Sequence, residues 1–120
     1  MPGWVRPVGS ASVAAFAEGD DWLDGAIAAI DRSSALLASL LAAHLPEVGY
    51  TPPRASYLAW LDCRALGWGD DPAARALDVA RVALNPGLEF GPSGAGFARL
   101  NLACSPEVLT EAVRRLAAAR

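Results

Sequence analysis

Lysine is absent from this chain of 120 residues, and all ten of its basic side chains are arginine. Without an ε-amino group no side chain can form a Schiff base, so imine chemistry lies outside the chain's own repertoire. Histidine occurs once, at His44, and cysteine twice, at Cys63 and Cys104, far apart and without CxxC spacing. A zinc centre wants about four ligands, which three scattered candidates do not supply, so no metal site is expected. Two such thiols read as reduced structural groups of a cytoplasmic protein. Positive charge is also scarce: thirteen acids against ten arginines leave a net charge of −3, and the arginines are dispersed along the chain. That excludes nucleic-acid binding through a basic face. No uninterrupted apolar run approaches the roughly 18 residues of a membrane span. Nor is the amino terminus a basic segment followed by an apolar one, so neither a signal peptide nor a membrane partner is expected.

What the chain does have is apolar bulk and alanine. Hydrophobic residues make up 53% and charged residues 19%, which excludes a wholly disordered chain, and the alanines favour helix. The length fits one domain over 1–120, able to form a core without disulfides. Residues 1–9, rich in proline and glycine, read as an irregular lead-in, followed by a short helix over 10–18 that Gly19 stops. Apolar residues at three- and four-residue steps from Trp22 to Leu41 predict a long amphipathic helix over 21–44, ended by Pro46. Residues 50–54 read as a loop, and 56–62 as a strand buried on both faces. Pro72 opens a further helix with Ala76, Leu77, Ala80 and Ala83 on its apolar side. A turn at 85–87, a short strand at 88–90 and a glycine-rich loop over 91–96 follow. Residues 97–104 then alternate, with Leu100, Leu102 and Cys104 on one face and Arg99 and Asn101 on the other. Ser105-Pro106-Glu107 starts a last helix with an N-cap, a first-position proline and an acidic first turn. The order implies an α+β fold: a small antiparallel or mixed sheet of about three strands packed by about four helices.

Among candidate functional residues Arg99 stands out, because it sits mid-strand in an otherwise apolar stretch. A guanidinium there needs an anion, and its planar fork suits a carboxylate. That anion could be a substrate's carboxylate or an internal acid such as Asp62 or Glu89. The 91–96 loop has the glycine density of a phosphate cradle but leads into a strand rather than a helix, so a hairpin connection is the better reading. Asp62-Cys63-Arg64 places a thiol beside charges, yet no base for a nucleophilic cysteine can be located. His44 ends the long helix, where capping is its ordinary role.

Three segments, taken together and in this order, carry a resemblance: Ser56-Tyr57-Leu58-Ala59-Trp60-Leu61-Asp62-Cys63-Arg64, then Val82-Ala83-Leu84-Asn85-Pro86-Gly87-Leu88-Glu89-Phe90-Gly91, then Gly96-Phe97-Ala98-Arg99-Leu100-Asn101-Leu102-Ala103-Cys104. From about residue 8 to the end the chain resembles the C-terminal small domain of class I/II aminotransferase-fold enzymes, within them the cystathionine β-lyase-like C–S lyases of the MalY/PatB type. The resemblance implies a fold type I pyridoxal-phosphate enzyme in which Arg99, with Asn101 in the same Arg-x-Asn strand, meets the substrate's α-carboxylate. It also implies that the Schiff-base lysine and the phosphate-binding residues belong to a large domain this chain lacks, in agreement with the absence of lysine. No catalytic or cofactor-binding residue is therefore expected here, and the chain alone should be inactive and bind no cofactor. The complete enzyme would be a cytoplasmic homodimer acting on an amino acid. The competing reading is a stand-alone interaction module that kept the lobe without the chemistry.

Overall fold

The computed structural model describes residues 5–120, so the expectation for 1–4 lies outside the described residues. The chain divides into two compact units, Met1–Asp31 and Arg32–Arg120. The first holds α1 (Val5–Glu18) and the opening half of α2 (Asp20–His44). Residues 5–9, read from sequence as irregular, are helical. Pro7 falls in the first turn, where a backbone N–H has no intrahelical partner, so its missing donor costs nothing there. Gly19 separates the helices, its N–H donating to the Ala15 carbonyl at 3.0 Å. A β-carbon at Gly19 would strike that same oxygen, which is why the break needs glycine. Phe16 and Trp22 are 87% and 77% exposed, and Val13 and Leu23 are exposed as well.

The second unit contains the sheet. Its strands β1 (Gly49–Tyr50), β2 (Leu58–Asp62), β3 (Asn85–Pro86) and β4 (Phe97–Asn101) lie in the order β1-β2-β4-β3, all antiparallel. The sheet thus has four strands where sequence indicated about three. The extra one, β1, is two residues long, and its second residue, Tyr50, opens the stretch read as loop. The short strand expected at 88–90 is instead a 3-10 turn, Gly87–Phe90, and the pairing falls on Asn85–Pro86. The helices α3 (Pro72–Arg75) and α4 (Pro106–Ala118) complete the unit. A π-helical turn, Ala76–Ala80, prolongs α3, and Arg81 closes it in the left-handed region. Of the four residues expected on its apolar side, Ala76 and Ala80 are buried, whereas Leu77 and Ala83 are exposed. Leu77 lies in the π turn, which departs from a regular helical face, and Ala83 lies beyond the end of the helix at Arg81.

Ser105 caps α4 as its sequence foretells, its hydroxyl accepting from the Val108 N–H at 3.3 Å. Leu109, Val113 and Leu116 of α4 join Leu37 and Leu41 of α2 and the inner sheet residues Ala59, Leu61, Ala98 and Leu100 in one core. The paired serines within α2 are buried there, and Ser34 is satisfied by the Tyr50 hydroxyl at 2.7 Å. α2 includes an 18-residue window apolar enough, by length and composition, to cross a membrane. The expectation that nothing approaches such a span was therefore too strict, because it counted only uninterrupted runs. A mostly buried core helix passes the same test, but only 17% of this window is buried, although Leu37 and Leu41 on α2 have core positions.

Candidate functional site

Strand register decides which side chains share a face. Across the antiparallel pairs Trp60 lies opposite Arg99, Arg99 opposite Asn85, and Asp62 opposite Phe97. Directly paired residues project to the same side, so these five leave the sheet together, away from the buried Ala59, Leu61, Ala98 and Leu100. β2 is therefore buried on one face only, contrary to the sequence reading: Trp60 is 41% exposed on the other. The predicted alternation of Arg99 with Leu100 in β4 is observed.

Arg99 is half-buried on this outer face. One terminal nitrogen, Nη2, donates to Asn85 Oδ1 at 3.3 Å, and the guanidinium carbon stands 4.7 Å from the centre of the Phe90 ring. That distance is within cation–π range. Its Nε is sealed from solvent and has no hydrogen-bond partner. A guanidinium carries five N–H donors. Only one has an acceptor among the described residues, and the sealed Nε leaves approach to Arg99 to its Nη1–Nη2 end. Neither internal acid considered from sequence is its counter-ion. Asp62 is engaged by Arg64, with Oδ1 accepting from Nε at 2.9 Å and Oδ2 from Nη2 at 2.8 Å. No ion pair joins Arg99 to Glu89 among the described residues.

Aromatic rings connect the two arginines. Phe90 meets Trp60 edge-on at 5.8 Å between centroids, Trp60 stacks on Phe97 at 5.4 Å, and Arg64 lies over Phe97 at 4.9 Å. Such pairs favour offset-stacked and edge-to-face geometries, so this row fixes ring orientation across the outer face. The Arg64 hydrogen bond holds the Asp62 carboxyl below its ordinary range. Sequence reasoning singled out Arg99 but not its neighbours Asn85 and Phe90, having assigned one to a turn and the other to a strand. The cue was available in the 85–97 spacing, long enough for β3 to pair with β4 while the intervening loop folds back.

The other candidates carry no chemistry. Cys63 is 4% exposed, and burial followed by the Asp62 charge pushes its thiol up to about 11, the reverse of a nucleophile. His44 is exposed at the end of α2, and no group of metal-ligating side chains occurs among the described residues. The 91–96 loop forms a 3-10 turn, Pro92–Gly94, and packs against Gly87: a β-carbon on Gly94 or Gly87 would run into the other's backbone. It presents no cradle at a helix N-terminus, and with no lysine in the chain these residues do not fit a pyridoxal-phosphate site.

No family model matches the chain. Among curated relatives, cystathionine beta-lyase PatB of Bacillus subtilis is 41% identical over 107 residues, covering 88% of this chain and 28% of the relative. Protein MalY of Escherichia coli is 35% identical over 108 residues, covering 89% and 28%. Cystalysin of Treponema denticola, solved with pyridoxal 5'-phosphate, superposes with a TM-score of 0.82 at 31% identity over 88% of this chain and 27% of that one. The chain spans only about 30% of the length of the curated relatives it matches. In sequence and fold it corresponds to the C-terminal part of the aminotransferase-fold C–S lyases, the PatB- and MalY-type group of pyridoxal-phosphate enzymes.

Proposed function

We propose that these 120 residues act as the small lobe of a pyridoxal-phosphate-dependent C–S lyase of the cystathionine β-lyase kind, with Arg99 receiving the α-carboxylate of the amino-acid substrate. The observation that carries this reading is an arginine presented on the outer sheet face with no carboxylate partner among the described residues. A substrate carboxylate approaching the Nη1–Nη2 end would meet two parallel donors and an uncompensated charge. Asn101 plays a different part, its side chain accepting from the Ala103 N–H at 2.7 Å and so shaping the end of β4. The cofactor, which supplies the electron sink for carbanion chemistry when bound, belongs in this proposal to a large domain with its own lysine. The chain's contribution is to bind and orient the substrate, in a cytoplasmic enzyme that works as a homodimer; alone it is inactive.

The test is a chimera in which this chain replaces the C-terminal part of Bacillus subtilis PatB, assayed on cystathionine. Arg99→Lys keeps the charge but loses the fork. It should lower kcat/KM on the order of 30-fold or more, mainly through KM, with an unchanged melting temperature. Unaltered kinetics, or unfolding without a specific kinetic effect, would refute the assignment.

A further inference from the structure

We propose that Asn85 and Phe90 are positioning residues for Arg99, holding its guanidinium through a neutral carbonyl oxygen and an aromatic face so that its full positive charge stays available to an anionic ligand. The inference deepens the α-carboxylate reading and rests on it. An arginine side chain is long and rotamer-rich, so an unattended guanidinium meets a ligand in many orientations. A carboxylate neighbour would fix it but would also neutralise it. This face has such a carboxylate in Asp62, and Arg64 takes it with both oxygens. Arg99 is held by uncharged groups instead: Asn85 Oδ1 at 3.3 Å and the Phe90 ring at 4.7 Å.

The fold delivers both groups by construction. Asn85 reaches Nη2 because β3 pairs it directly with Arg99. The chain then turns at Gly87, whose backbone lies against Gly94 and Phe97, and returns Phe90 over the guanidinium. Phe90 is itself braced edge-on by Trp60, and Trp60 by Phe97. The Nε of the same guanidinium is sealed and without a partner, which directs a ligand to the far end of the fork.

The experiment uses the whole chain with 15N-labelled arginine and acetate as the carboxylate probe. The Arg99 Nε–H signal, identified by its loss in Arg99→Lys, should be shifted upfield by the ring, exchange slowly with water and respond to acetate. Phe90→Leu should abolish the upfield shift, speed exchange at least tenfold and weaken the acetate response at least threefold, while Phe90→Tyr retains all three properties. Asn85→Asp should keep the guanidinium ordered but abolish the acetate response, since an internal carboxylate then occupies it. A wild-type acetate response that Phe90→Leu and Asn85→Asp leave intact would overturn the positioning role and spare the carboxylate reading. No acetate response in the wild type would instead overturn the carboxylate reading, and with it the purpose assigned to the pair. Circular dichroism of each variant separates these outcomes from unfolding, which neither exposed Asn85 nor half-exposed Phe90 should provoke.

Discussion

Alkaline pH should destabilise this protein through one thiol. Cys63 is 4% exposed, and its Sγ has only a long contact of 3.8 Å to the Leu61 carbonyl. Burial, reinforced by the Asp62 charge, raises the thiol from its ordinary 9.0 to about 11. Between those two values the folded chain keeps a proton that the unfolded chain has lost. Stability rises with pH only where the unfolded state binds more protons, and here the folded state binds more, so stability falls. The contribution is fully present below pH 9 and is lost as pH rises through 11. Two pKa units at about 1.4 kcal/mol each give a loss of roughly 2–3 kcal/mol, a large share of an ordinary domain's 5–15 kcal/mol. Urea unfolding of wild type and Cys63→Ala at pH 8, 9, 10 and 11 measures it. The variant should be less stable at pH 8 by about 1 kcal/mol, from the smaller buried side chain. Lacking the titrating group, it should overtake the wild type by pH 11. Cys104, whose thiol is also raised by burial, is common to both proteins and cancels in the comparison. Parallel stability curves would refute the reasoning.

The elements legible in the sequence were those whose determinants are local. The Ser105-Pro106-Glu107 start of α4 is a self-contained capping signal, and the period of α2 runs over six turns, so α4 begins where expected and α2 fell close to its expected bounds. Alternation in 97–101 likewise placed Arg99 on the face opposite Leu100 before any neighbour was known. What was illegible depended on partners distant in sequence. Trp60 lies between Ala59 and Leu61, so composition alone reads β2 as buried on both sides; only its pairing with Arg99 shows that the tryptophan faces outward. Asn85 and Phe90 were misassigned for the same reason. A two-residue strand has no periodicity of its own, and β3 exists because β4 supplies its hydrogen bonds. The helical state of residues 5–9 was hidden by Pro7 and Gly9, whose average penalties say nothing about position within a helix.

Two further outcomes follow from the surface and from the loop that carries Phe90. In the first unit Phe16, Trp22 and Val13 stand exposed, so the chain should bind a hydrophobic dye and self-associate at high concentration. Light scattering that reports a monomer without dye binding would count against this. Gly94→Ala should destabilise by about 1–3 kcal/mol, the usual cost of overpacking. The cost is steric rather than conformational, because Gly94 is not in the left-handed region and its new β-carbon would meet the unyielding backbone of Gly87. Gly25→Ala in α2, where a β-carbon has open space, serves as the control and should stabilise by about 0.5–1 kcal/mol. Relieving the collision at Gly94 by opening the turn between β3 and β4 would draw Phe90, which follows Gly87 in that turn, off the Arg99 guanidinium. Faster water exchange at the Arg99 Nε–H in Gly94→Ala, under conditions where the protein remains folded, is therefore the expected result. Unchanged exchange and unchanged urea midpoints would show that the close approach of Gly87 and Gly94 does not hold the aromatic face in place.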